Sequence, residues 1–173
     1  MGREVWLTVT GEQKDPDGQR DRNSTQIRAW YERREDKHIF EYRERDPQSG
    51  AVTDSRLVFS AAHCSIERKG AVSTKMRFWP EKETECMYET GFGSIPMKLF
   101  TKRLAMREVG SNFHGRVSYD LHLQGGDPME CAVTVKAEPV KNKHSIKKAC
   151  RTIATRFFNC YYGNGLRILP GIT

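Results

Sequence analysis

The sequence predicts an all-β fold: a single closed antiparallel barrel of about eight to ten strands, followed by an appended C-terminal amphipathic helix. Three observations predict it. Apolar and polar residues alternate with a period of two through most of the first 140 residues, which puts one side-chain set on each face of a strand. Turn signals recur between the alternating runs at the regular spacing of a sandwich or barrel. After Glu138 the period changes and acidic residues cease.

The strands can be justified in chain order. Met1 to Thr10 alternates, and the alternation resumes at Ile27, Ala29 and Tyr31 against Arg28 and Glu32, then at Phe40 and Tyr42 against Glu41 and Arg43. It recurs at Leu57 and Phe59, at Ile66, at Met76 and Phe78 about Arg77, and at Cys86 and Tyr88. The clearest runs are Val117, Tyr119, Leu121 and Leu123, then Cys131, Val133 and Val135, each apolar at odd positions and mostly polar at even ones. Between them lie Asp15-Pro16-Asp17-Gly18, Asp46 to Gly50, Lys69-Gly70, Gly91-Phe92-Gly93, Val109 to Asn112 and Gln124 to Pro128. Long adjacent strands joined by short turns favour an up-and-down barrel, because closure removes exposed edges. About eight strands enclose an interior that is either filled by side chains or just wide enough for one small ligand.

The chain has 173 residues, 37% hydrophobic and 29% charged, as expected for one charged-surfaced unit with a modest core. No apolar run reaches the roughly 20 residues of a membrane-spanning helix. The N-terminus lacks a basic start and a continuous apolar stretch, so a cytoplasmic location is expected. Five cysteines without CxxC spacing imply neither a disulfide framework nor a zinc site, and no metal or cofactor is expected.

Charge divides the chain in two. All 22 acidic residues precede residue 140, where they balance 22 of the 29 basic ones; the remaining seven, Lys141, Lys143, Lys147, Lys148, Arg151, Arg156 and Arg167, supply the whole net charge of +7. The expected organisation is a barrel over residues 1–140 and a basic extension over 141–173. Within the extension Ser145 can cap a helix running to about residue 162, with Ile146, Ala149, Cys150, Ile153, Ala154, Phe157, Cys160 and Tyr161 as its apolar stripe. Gly163-Asn164-Gly165 stops it.

Ile66-x-Arg68-x-Gly70, Met76-x-Phe78, the run Thr84 to Thr90, Gly93-x-x-Pro96-Met97 and Thr101 together resemble the YwiB-like family of small bacterial calycin-like β-barrels, a domain of unknown function. The resemblance is specific over residues 64–104 and extends through the strand pattern to about residues 3–138. It implies a lipocalin-like closed barrel in the bacterial cytoplasm, and it brings no catalytic residue with it. The residues give part of the reason: Gly91 and Gly93 suit a hairpin about Phe92, and Pro96 suits an edge-like or bulged strand start.

Candidate chemistry is sparse. Ser60-Ala61-Ala62-His63-Cys64 looks like the catalytic-histidine segment of trypsin-like proteases, but no nucleophile segment follows, so His63 reads as a strand or turn histidine. Asp120 and His122 share one face of a strand, the face opposite its apolar set, and read as an exposed pair. Glu81, Glu83, Glu85 and Glu89 read as a solvated strand face. The expected function is therefore non-enzymatic: binding of a small apolar or amphipathic ligand among Tyr42, Phe59, Phe78, Tyr88 and Tyr119, whose rings and hydroxyls could line a pocket or equally fill a core. The alternative is an electrostatic adaptor in which Lys147, Lys148, Arg151 and Arg156 meet nucleic acid or an anionic membrane. The helix stripe could also pack on the barrel wall or close one end.

Overall fold

Residues 1–140 are described by the structure, a computed structural model. They form ten strands: β1 (Arg3–Lys14), β2 (Arg20–Arg34), β3 (Lys37–Arg45), β4 (Val52–Phe59), β5 (Cys64–Gly70), β6 (Val72–Phe78), β7 (Glu83–Thr90), β8 (Gly93–Val109), β9 (Asn112–Leu123) and β10 (Met129–Pro139). Each strand pairs antiparallel with its neighbours in sequence, and β1 pairs with both β2 and β10, so the meander closes into a barrel. The expected C-terminal helix lies outside the described residues.

Alternation sets what faces inward. Val5, Leu7 and Val9 of β1 are at most 5% exposed and lie opposite Pro139, Ala137 and Val135 of β10. Tyr88, Met97 and Leu99 are at most 2% exposed and point inward. Pro96 pairs with Met87 of β7, while the β8–β9 ladder begins only at Met97, so Pro96 has a strand neighbour on one side alone.

The two ends of the barrel differ. Near the β2–β3, β4–β5 and β8–β9 turns, aromatic rings plug the interior: Tyr31 stacks on Phe40 at 5.0 Å, and Phe113 meets Phe40 at 5.1 Å and Phe59 at 5.6 Å. Phe78 and Tyr119 continue this packing, 4.8 Å apart. At the other end, the mouth, the inward positions turn polar: Glu44, Thr53, Ser55, Arg68 and Thr74 are all buried.

Two ladders are incomplete. Only Trp30 to Arg34 of β2 pair with β3, so its earlier residues bond to β1 alone, while Tyr42 to Arg45 of β3 bond to β4 alone. Likewise only Val72 to Thr74 of β6 pair with β7. The first gap lies beside the polar mouth.

Outside, charges pair across strands, as in Arg28–Glu4 at 2.8 Å, Arg43–Asp54 at 2.7 Å and Lys102–Asp120 at 2.7 Å. Such a wall suits water and not hydrocarbon. Among the described residues no helix is long and apolar enough to cross a membrane.

Candidate ligand site in the barrel mouth

The site follows from strand parity. On β3 the inward residues are His38, Phe40, Tyr42 and Glu44, so continuing the apolar face for two more steps carries a carboxylate inside. On β5 the same rule takes Cys64 and Ile66 to Arg68. Register then places Tyr42 opposite Ser55 and Ser55 opposite Arg68, one row across three strands. One step nearer the rim, Glu44 lies opposite Thr53 and Thr53 opposite Gly70. Gly70 has φ of 140°, and a Cβ there would stand 2.1 Å from the Val52 carbonyl oxygen, so this approach of β5 to β4 requires glycine.

Within this frame Arg68 Nη2 donates to Glu44 Oε2 at 2.7 Å, and Ser55 Oγ donates to the same oxygen at 3.4 Å. Burial raises the Glu44 carboxyl above its ordinary value, although Arg68 and Ser55 pull it down. Burial also pushes the Tyr42 phenol up, and Glu44 adds to the push. The mouth thus favours a neutral phenol and makes the carboxylate dependent on Arg68.

Beside the pair lies an internal cavity of about 10 Å³, room for about one water. Half of its lining is apolar, Val9, Ile27, Leu57 and Ile66; the other half is Thr25, Tyr42, Glu44 and Arg68. Thr25 and Ile27 come from the stretch of β2 that has lost its pairing with β3. A shallow outer groove of about 660 Å³ runs along the same gap between Arg28 on one side and Arg43, Arg56 and Lys69 on the other. Tyr42 lines both groove and cavity, and so stands between them.

The other pocket candidates are placed differently. Phe59, Phe78, Tyr88 and Tyr119 are at most 2% exposed and belong to the hydrophobic core, and none of them lines the cavity. Lys147, Lys148, Arg151 and Arg156 lie outside the described residues. His63 Nδ1 is 3.0 Å from Ser60 Oγ, but Ser60 is 1% exposed and also bonds the His63 backbone, which makes the pair a staple of the β4–β5 turn. His63 further stacks on Trp79. Asp120 lies on the outer wall, bound to Lys102. Glu83, Glu85 and Glu89 are exposed. Burial pushes the Cys64 and Cys86 thiols up, which disfavours the reactive thiolate. Among the described residues no cluster of His, Cys, Asp and Glu could hold a metal ion.

Glu44 and Arg68 did not stand out in the sequence as site residues. Their signal was parity: each continues an inward set by two positions, where a charged residue ordinarily reads as the end of the buried run.

The family model described as a domain of unknown function (DUF1934) matches residues 7–135. The crystal structure of ywiB protein from Bacillus subtilis superimposes with a TM-score of 0.70 at 21% identity, covering 81% of this chain and 94% of that one. At that identity the likeness is one of fold. No curated protein matches this chain. With the family model spanning the barrel from β1 into β10, the chain belongs to the DUF1934 family, a YwiB-like domain of unknown function built as a closed barrel.

Proposed function

We propose that this barrel is a non-enzymatic binding protein that takes one small amphipathic molecule into its mouth, a lipocalin-like use of the fold, in the cytoplasm. The observation that carries the reading is the buried Glu44–Arg68 pair beside a half-apolar cavity at a broken ladder. A buried ion pair is weak support for stability, because desolvation offsets most of its attraction, so its place in the mouth suits recognition better than cohesion. The ligand's polar group would meet Arg68, Glu44 and Ser55, and its apolar part would lie along Val9, Ile27, Leu57 and Ile66. The closed cavity holds only about one water, so uptake requires Tyr42 to swing aside and β2 to part further from β3. Phe59, Phe78, Tyr88 and Tyr119 then form the floor beneath the ligand. Residues 141–173 act as a separate basic extension of the barrel.

Titration with anilinonaphthalene sulfonate, an amphipathic fluorophore, tests this. The expected result is saturable, blue-shifted fluorescence that Ile27→Trp abolishes at unchanged melting temperature. Saturable binding that survives Ile27→Trp would place the ligand elsewhere, and no saturable binding would remove the reading.

A further inference from the structure

We propose that the outer face of β8, β9 and β10 is a nucleic-acid-binding surface that holds the phosphate backbone through Arg103, Arg107, His114, Arg116 and Lys136. Elsewhere on the wall, outward cations meet acidic partners across strands: Arg28 with Glu4, Arg43 with Asp54, and Lys98 with Glu83 and Glu85. Toward the β8–β9 turn this face does the opposite, whereas farther along the same strands Lys102 still meets Asp120. Arg107 lies opposite His114, and His114 opposite Lys136, one row of basic residues across three strands. The row sets an imidazole and no carboxylate between Arg107 and Lys136, so nothing in it neutralises the two cations and it favours an anion.

Among the described residues Arg103, Arg107 and Lys136 make no ion pair within 4.0 Å. Arg116 is held between Thr134 Oγ1 at 2.7 Å and Glu12 at 2.9 Å, which fixes its guanidinium on the face. Glu138, two positions beyond Lys136, is exposed at the edge. The His114 imidazole is held below its ordinary value first by burial and then by Arg107, Lys136 and Arg116, so three positive fields converge on one spot.

Shape agrees with charge. A groove of about 400 Å³ runs between β8 and β9, and Ala105 and Ser118 are small enough to leave Arg103, Arg107 and Arg116 standing round it. Three adjacent strands span about 10 Å, and four residues along a strand about 13 Å, so the cations suit an extended polyanion better than a single ion. Guanidinium forks match phosphate oxygens two at a time. No Phe, Tyr or Trp lines the groove, so the contact reads backbone and not base. Lys136 also lies near the end of β10, and after that strand the sequence carries seven more Lys and Arg and no acid.

The test is fluorescence anisotropy of the full-length chain with a labelled single-stranded oligouridylate across a salt series. The triple variant Arg103→Gln, Arg107→Gln, Lys136→Gln is expected to bind at least about tenfold more weakly at low salt. Its log–log salt slope should fall by about 2, at roughly 0.7 per phosphate contact on a single strand. Arg43→Gln, on the opposite wall, should change neither. Three results would overturn the proposal: a triple variant with unchanged affinity and slope, which would assign binding to residues 141–173; equally tight binding of polyglutamate; or no binding of the oligonucleotide by the native chain.

Discussion

Arg68 and Glu44 form an ion pair of 2.7 Å between side chains only 9% and 7% exposed, inside a barrel whose other inward positions are largely apolar. Each charge is tolerated there because of the other. Removing one partner leaves an uncompensated buried charge, whereas removing both leaves a site that apolar side chains can fill. Arg68→Leu should therefore cost about 3–5 kcal/mol, and the double variant Glu44→Leu, Arg68→Leu should lie close to native stability, as read from urea midpoints at constant m. A non-additive pair of this kind is what distinguishes a coupled site from two independent core positions.

The single variant also carries a pH signature. The Glu44 carboxyl is raised in the folded protein, so its contribution to stability is fully present below its ordinary value of 4.5 and is lost as pH rises through the folded value. Without Arg68 the carboxyl rises further. The stability deficit of Arg68→Leu should accordingly shrink on acidification, measured by urea denaturation at a series of pH values.

His38 acts in the opposite sense. It is 2% exposed, accepts or donates a 3.0 Å hydrogen bond with the Tyr31 hydroxyl according to tautomer, and lies 3.8 Å from Glu108. Burial holds the imidazole below its ordinary value of 6.5 despite the pull of Glu108. A depressed pKa gives stability that is present above 6.5 and lost as pH falls through the folded value. The native melting temperature should fall between about pH 7.5 and pH 5, and His38→Gln should lose less over that interval. The comparison isolates His38 from Glu44, whose contribution runs the other way.

Gly70→Ala tests the close approach that shapes the mouth. Its Cβ would meet backbone at 2.1 Å, with a positive φ that side chains rarely adopt, so β5 must shift from β4. A loss of roughly 1–3 kcal/mol is expected. A loss of fluorophore binding should accompany it, since the rows holding Arg68 and Ser55 move together. Unchanged stability would mean that the strand relaxes freely.

Much of the barrel was legible because alternation repeats over ten strands, and Val117 to Leu123 or Cys131 to Val135 declare their faces without help from distant residues. Closure needed only adjacency. The mouth was less legible, since the inward direction of Glu44 and Arg68 depends on extending a register past the point where hydrophobicity ends. The aromatic candidates were legible as inward-facing, but whether Phe78 and Tyr119 line space or fill it depends on a 4.8 Å ring contact between strands 41 positions apart in sequence. The row of Arg107, His114 and Lys136 was hidden for the same reason, because it exists only across paired strands.

The core aromatics carry a stability prediction of their own. Phe78→Ala should cost about 3–5 kcal/mol by opening a cavity in the packed interior, while Tyr42→Phe, at the half-buried gap, should cost less than about 1 kcal/mol. Thermal and urea unfolding of the two variants would separate floor from gate.

A native mass spectrum of the full-length chain, purified gently from a bacterial host, tests the central claim most directly. The binding account predicts a folded monomer carrying an extra small-molecule mass, released on denaturation and absent from Ile27→Trp and from the double variant at Glu44 and Arg68. A bare mass for the native chain, or an adduct that persists unchanged in both variants, would contradict it.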